Sequence, residues 1–555
     1  MASVLATADL VLRSGRIVTL DPASPNATAV AVRGERIVAV GSDEDVAPLI
    51  GTDTHVVDLA GRTVIPGIND AHVHLSAYAL LQPPFTLDIR GVTSLDELTS
   101  ALRAASPGPG AGDWLVGATW REGNIAELAD GSLPPHRSQL DAATGDRPAL
   151  LHHASLHGVW VNTEALRRAG IDRDTPDPHG GVIVRDEHGE PTGLLYDAAM
   201  SRVLAVVPQP DRPTRLDAIE AAMTSLNRLG VTSVTDPAVS PELLRDYTEL
   251  HRQGRMSLRT SVLLHWGWPE PCSLSTMQSA LWWSGAATGL GDDWLRIGGA
   301  KLFADGAPSH GTAWLYEPYP DGGHGSLTVV GEDDDARVAE LAAVVDLAHR
   351  NGLDLQIHVT GDRTADAAID ALIAAQKATP RPTARHALIH GTLLTDEALA
   401  RLAEHDIAVV TNSLLKATAA SGMTPMIGEH RWARTFPAGS MLAAGVRVVD
   451  SSDAPCTVPD WRGGVATFVG AVPAARVADK ELVTTLQALH MWTTAPAHLE
   501  GAESSKGALA PGYLADLAVL GADPLSTPHD RLTDIPVEMT IVGGKTVFDN
   551  EEGYS

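Results

Sequence analysis

The chain has 555 residues, 44% hydrophobic and 20% charged, so it carries ample material for a buried core and lacks the low hydrophobicity that marks disorder. Its 69 Asp and Glu against 41 Lys and Arg give a formal charge of −28, a surface that repels phosphate backbones and anionic lipid headgroups, so neither nucleic acid nor membrane is expected as a partner. With Cys272 and Cys456 as its two cysteines it cannot build a disulfide framework or a thiolate-rich zinc site, which leaves His, Asp, Glu and Lys to hold any metal.

The chain opens without a basic stretch followed by an apolar run, and it holds no run of about 18 apolar residues, so a cytoplasmic protein is expected. Residues 1–63 read as short strands at 10–12, 16–20, 28–32, 36–40 and 55–59, parted by turns such as Ser14-Gly15 and Ala60-Gly61, and an antiparallel unit is expected. Residues 501–555 repeat the pattern at 516–520 and 539–547, the latter broken by Gly543-Gly544. Strands at both termini around a long α/β middle predict one small β-sandwich built from the two chain ends, because joining them removes exposed edges.

Residues 64–75 carry an apolar run through a Pro66-Gly67 break to His72 and His74. On an extended strand these two imidazoles share a face, which suits a metal, and the stretch is expected to form barrel strand one. Residues 76–220 are rich in turns and lack βα alternation, and an insertion of this size is expected to be a lid or substrate cap. Residues 221–500 alternate β-branched runs with helical patterns. Candidate strands at 231–235, 259–264, 297–303, 355–358, 387–390, 407–410 and 446–449, added to the His72 strand, make eight. Eight such units predict an α/β fold, a (β/α)8 TIM barrel with the lid inserted after strand one.

A barrel gathers the C-terminal ends of its strands around one mouth, so His72, His74, Lys301, His358, His390 and Asp453 are expected to converge there. Each alone has an ordinary reading as a solvated lysine, a satisfied histidine or a turn-forming aspartate. Six metal-competent groups recurring at strand ends are harder to explain in that way.

The same stretches resemble the metal-dependent amidohydrolase superfamily, and more narrowly amidohydrolase family 3, the group that includes N-substituted formamide deformylases. The likeness is carried by Pro66-Gly67-Ile68-Asn69-Asp70-Ala71-His72-Val73-His74, Lys301-Leu302-Phe303-Ala304-Asp305-Gly306, His358-Val359-Thr360-Gly361-Asp362-Arg363 and Asp453. Trp114, Trp160-Val161-Asn162, Pro191-Thr192-Gly193 and Gly512-Tyr513-Leu514-Ala515-Asp516-Leu517 add to it, so that it covers nearly the whole chain. The resemblance implies that His72, His74 and Asp453 hold one divalent ion and His358 with His390 another, bridged by Lys301 carboxylated by carbon dioxide; an unmodified Lys301 would leave a site for one ion. A carbamate offers two anionic oxygens where an ammonium offers no lone pair. Nitrogen and oxygen donors suit Zn2+ first, then manganese, iron or nickel. The implied reaction is hydrolysis of a non-peptide amide-type C–N bond in a small molecule, such as an N-substituted formamide, by a metal-bound hydroxide, with Asp453 as catalytic acid and base.

Two positions depart from the family pattern: Gly311 stands where relatives commonly carry Arg, and Ile389 where they commonly carry Glu. Trp120, Trp266, Trp268, Trp314 and His310 are expected to reach the mouth and bind a flat or apolar substituent. Cys456 is read as a packed residue. A deaminase or cyclic amidase of the same superfamily, or a non-catalytic metal-binding regulatory protein on the same scaffold, is the alternative reading, and a homodimer is an open expectation.

Overall fold

A computed structural model of the protein describes residues 7–129, 133–266 and 271–550; Trp268 and the extreme ends of the two terminal segments lie outside these. The termini build two packed sheets. One is ordered Arg36–Gly41, Ala29–Arg33, Leu10–Arg13, His55–Asp58, and the other joins Arg16–Val18 and Thr63–Pro66 to Leu517–Leu520, Val537–Val542 and Lys545–Asp549. Leu12, Ile17, Val30, Val64, Val519 and Ile541 form their shared core. The unit is mixed, not antiparallel throughout: Leu10–Arg13 runs parallel to His55–Asp58, and Arg16–Val18 parallel to Thr63–Pro66. The turns at Ser14-Gly15 and Ala60-Gly61 carry the chain from one sheet to the other instead of closing a hairpin.

Eight parallel strands follow in chain order around the barrel: Ile68–Asp70, Val231–Val239, Arg259–Leu264, Leu295–Phe303, Leu355–Val359, Ala387–His390, Ala408–Thr411 and Val448–Asp450. The first and last are stitched beyond the ladder: Ser452 N–H donates to Asp70 Oδ1 (3.0 Å), Asp453 N–H to His72 O (2.8 Å) and His74 N–H to Ala454 O (2.9 Å). The structure moves the start of the barrel relative to the expected 64–75 strand. Thr63–Pro66 pairs with Leu517–Leu520 in the terminal sheet, and His72 and His74 follow the strand in the turn after Asp70. Gly67 is the joint, because a Cβ there would collide with the Thr232 side chain. Most outer helices begin where a side chain accepts from a first-turn N–H, as Asp211, Ser240, Ser273, Asp333 and Thr395 do. Among the described residues no helix is long and apolar enough to cross a membrane.

The insertion between the first two barrel strands is a six-stranded sheet ordered Gly181–Arg185, Pro191–Asp197, Gly158–Val161, Ala149–His153, Leu115–Trp120, Leu87–Asp88. Strand alternation splits its side chains between two cores: Leu150, Val159 and Leu195 pack on one face with Trp114, and Leu151, Trp160 and Leu194 on the other with Trp120. The cap is thus a sheet with packing of its own, more regular than its turn-rich sequence suggested. Residue 220 falls inside the helix Arg212–Asn227, whose Leu216, Ile219, Met223 and Leu226 belong to the barrel core.

Candidate metal centre and its cavity

The stitching of the first and last strands sets the first cluster. His72 Nε2 and His74 Nε2 lie 3.4 and 3.5 Å from Asp453 Oδ1, and one ligand atom from each of the three falls within 4.8 Å of the others. Lys301, on the fourth strand, places Nζ 3.4 Å from His72 Nε2. His390, which ends the sixth strand, faces His358 from the fifth with Nε2 and Nδ1 3.0 Å apart. His390 and Asp453 both hold left-handed backbone, with φ of +68° and +56°. Such a conformation costs a non-glycine residue roughly 1–3 kcal/mol, a strain that clusters at functional sites.

Hydrogen bonds fix which nitrogens are free. His390 Nδ1 meets Asn412 Oδ1 at 2.6 Å, while Asn412 Nδ2 donates to Ser451 Oγ at 2.8 Å, so the amide oxygen must accept from His390. His358 Nε2 faces the Gly306 carbonyl at 3.2 Å, which can only accept. The two remaining nitrogens, His390 Nε2 and His358 Nδ1, therefore turn lone pairs toward each other.

Burial governs the charges. It pushes His72 and His358 well below the usual histidine value and His390 down to about 4. Burial likewise brings Lys301 from 10.5 to about 7. For Asp453 burial acts upward, but the hydrogen bond from His74 and the nearby His390, His74 and Lys301 charges outweigh it and hold the carboxyl below its usual range. Neutral imidazoles, an accessible amine and an ionised carboxylate are the states that ligate cations.

These groups open into a cavity of about 250 Å³ between barrel and cap. His74, Lys301, His358, His390 and Asp453 line its floor, and Leu243, Leu415 and Met423 part of its wall. The cap contributes Arg121, Glu122, His153, Ser155 and His157. His157 Nδ1 lies 2.7 Å from Asp197 Oδ1, with its ring centroid 4.9 Å from that of His358. Glu122 Oε2 is 3.1 Å from His153 Nε2; burial acts to raise this carboxyl, yet the His153 and His310 imidazoles beside it hold it at about 2. Behind the floor, Asp305 ties the loop after strand four to the His358 loop, accepting from Thr360 N–H (3.1 Å), Gly361 N–H (2.8 Å) and Thr364 Oγ (2.7 Å).

The structure brings the six expected ligand residues together and places the expected substrate-binding aromatics behind the wall. Trp120 is buried in the cap core, where Nε1 donates to Leu151 O. Trp266 packs against the barrel core, and Trp314 is buried beneath Arg363, whose guanidinium carbon lies 4.0 Å from its ring centroid. His310 is a backing residue, 2.9 Å from Ser155 Oγ and stacked on Tyr196 at 4.4 Å. Large rings lose most by exposure, so the cap and loops fold over them. Gly311 has φ of +70° and ends the Pro308–His310 turn. Cys456 is buried as expected but also lines the cavity, and burial pushes its thiol well above the ordinary value, so it stays protonated. Sequence reasoning missed Arg121, Glu122, His157 and Asn412; the one signal was the cluster His152, His153 and His157.

Residues 55–548 match the amidohydrolase family. The N-substituted formamide deformylase of Arthrobacter pascens is 30% identical over 549 residues, 97% of each chain. A structure described as an uncharacterized metal-dependent hydrolase from Pyrococcus furiosus is 25% identical with a TM-score of 0.70, covering 93% of this chain and 100% of that one. The zinc complex of an atrazine chlorohydrolase from Arthrobacter aurescens TC1, 15% identical with a TM-score of 0.55 over 98% of this chain and 96% of its own, has the same fold. The chain belongs to the amidohydrolase family and is a metal-dependent hydrolase of carbon–nitrogen bonds other than peptide bonds.

Proposed function

We propose that the protein hydrolyses an N-substituted amide or formamide of a small molecule, using one or two divalent ions, Zn2+ foremost. His72, His74 and Asp453 would hold one ion and His358 with His390 the other, with Lys301 as a bridging carbamate. The observation that carries this reading is the pair of opposed lone pairs on His358 Nδ1 and His390 Nε2, 3.0 Å apart and repulsive unless a cation lies between them. The His72, His74 and Asp453 donor set, free of thiolate, supports it. The Arthrobacter pascens relative, a formamide deformylase by name, points to the same bond.

Bound there, a divalent ion supplies Lewis acidity toward a carbonyl and makes a water more acidic. The chain's own residues do the rest. Asp453, ionised and lining the cavity, accepts a proton from the attacking water at a carboxylate oxygen and returns it to the departing nitrogen. Asn412 and the Gly306 carbonyl hold the two imidazoles in the tautomers that keep their inner nitrogens free. The cap roofs the cavity and limits water around the scissile bond.

The test is a hydrolysis screen of the metal-loaded protein on N-alkyl and N-aryl formamides and acetamides, N-acyl amino acids and cyclic ureas. Release of an acid and an amine is expected. Release of ammonia or ring opening would move the protein to the deaminases or cyclic amidases, and no turnover on any amide would refute the proposal.

A further inference from the structure

Arg121 lies half-buried in the cavity wall, on the cap side. Its guanidinium has five donors, and the hydrogen bond it makes is from Nη2 to the Cys456 carbonyl at 2.9 Å. Among the described residues no carboxylate oxygen comes within 4 Å of it. Its neighbour Glu122 is turned to His153. By contrast, Arg259, buried in the interior, has Asp516 at 2.7 Å, and the similarly half-buried Arg147, which bonds the Ala105 carbonyl, does not line this cavity. In a protein with 69 acidic residues, a cation kept without an acid beside a substrate cavity is poorly compensated, since taking a charge out of water is repaid only by a close counter-charge.

Resting on the hydrolase reading above, we propose that the missing partner is the substrate's own carboxylate, held by the planar fork of Arg121, and that the substrates are N-acylated amino acids. The position fits. Cys456, whose carbonyl Arg121 holds, donates its N–H to the Asp453 carbonyl in one turn (2.8 Å), so the guanidinium stands one turn away from the group that handles the leaving nitrogen. In an N-acyl amino acid the carboxylate is a single carbon from that nitrogen. Leu243, Leu415 and Met423 then face the amino acid's side chain, which selects an apolar one.

The experiment compares N-formylphenylalanine with N-formylphenethylamine, the same molecule without its carboxylate, on the metal-loaded wild type and on Arg121→Gln and Arg121→Lys. Gln keeps a donor for the Cys456 carbonyl, and Lys keeps the charge without the fork. The wild type is expected to favour the carboxylate, and the ratio of kcat/KM values, acid over neutral, to fall about 100-fold in Arg121→Gln with partial recovery in Arg121→Lys. An equal loss on both substrates, or a wild type indifferent to the carboxylate, overturns the proposal. Calorimetric binding of 3-phenylpropanoate against 3-phenylpropanol, which have no C–N bond, separates this inference from the hydrolase reading. Weaker acid binding in Arg121→Gln supports the role of Arg121 even if no amide is cleaved, and unchanged acid binding refutes it even if amides are.

Discussion

Replacing Asn412 by Leu tests whether His390 is a ligand whose orientation is set by its neighbour. Asn412 is fully buried, meets His390 Nδ1 at 2.6 Å, and is itself held by Ser451 Oγ at 2.8 Å. Leu has the same branched arrangement of heavy atoms and is the bulkier of the two, so no cavity opens, and Ser451 Oγ retains the Thr411 carbonyl at 3.1 Å. What is lost is the bond that keeps the proton on Nδ1 and the lone pair on Nε2. Outer partners of metal-bound histidines are worth roughly 10- to 100-fold in metal affinity, about 1.4–2.7 kcal/mol. Zn2+ affinity of Asn412→Leu, measured by competition with a chromophoric chelator, is expected to fall by that factor. Asn412→Asp keeps an acceptor toward Nδ1 and is expected to recover most of it. If Asn412→Leu binds Zn2+ as tightly as the wild type, or Asn412→Asp is no better, the tautomer argument fails.

Three further expectations follow from the same geometry. Asp453→Asn is expected to lose roughly 10²- to 10⁴-fold in kcat, the range of general acid–base catalysis, and full turnover with normal metal content would remove the proton-transfer role. Lys301 reacts with carbon dioxide only as the neutral amine, and burial that brings its pKa to about 7 makes that form grow as pH rises. From roughly 10% neutral at pH 6 to roughly 90% at pH 8, bicarbonate-dependent metal uptake should rise about tenfold, and should vanish in Lys301→Ala; uptake independent of pH and bicarbonate would exclude the carbamate. Asp305→Ala strands the buried donors of Thr360, Gly361 and Thr364 and is expected to destabilise the barrel by roughly 3–5 kcal/mol, read as a lower denaturation midpoint, and an unchanged midpoint would refute this.

The barrel was legible because most of its strands are short apolar runs set between a helical pattern and a turn, and period separates strand from helix. The convergence of Lys301, His358 and His390 was legible because a strand's C-terminal end is a position in sequence as well as in space. His72 and His74 converge without the strand that was expected to aim them; three hydrogen bonds to the turn after the eighth strand do that work, and nothing near residue 72 records a partner near 453. The aromatics were misplaced for a related reason. Whether Trp120 lines a cavity or fills a core depends on which face of the cap sheet it takes, and Trp120 and Arg121, adjacent in sequence, end on opposite sides of that decision. Asn412 gave no local signal, since an asparagine after a strand is ordinary turn chemistry until the histidine it holds is known.

The seam between the first and last barrel strands also orders events in time. Its paired groups, Asp70 and Ser452, are 382 residues apart in the chain. The cap sheet lies wholly between Leu87 and Asp197, so a growing polypeptide can complete and pack it early. The His72, His74 and Asp453 group has no such option, because Asp453 is synthesised long after His72 and His74, and the terminal sheet that anchors Thr63–Pro66 waits for Leu517–Leu520. Until Val448–Asp450 is made, His72 and His74 stand beside a barrel that lacks its eighth stave, and a chain stopped short of Val448 holds two members of the three-residue cluster and never the third.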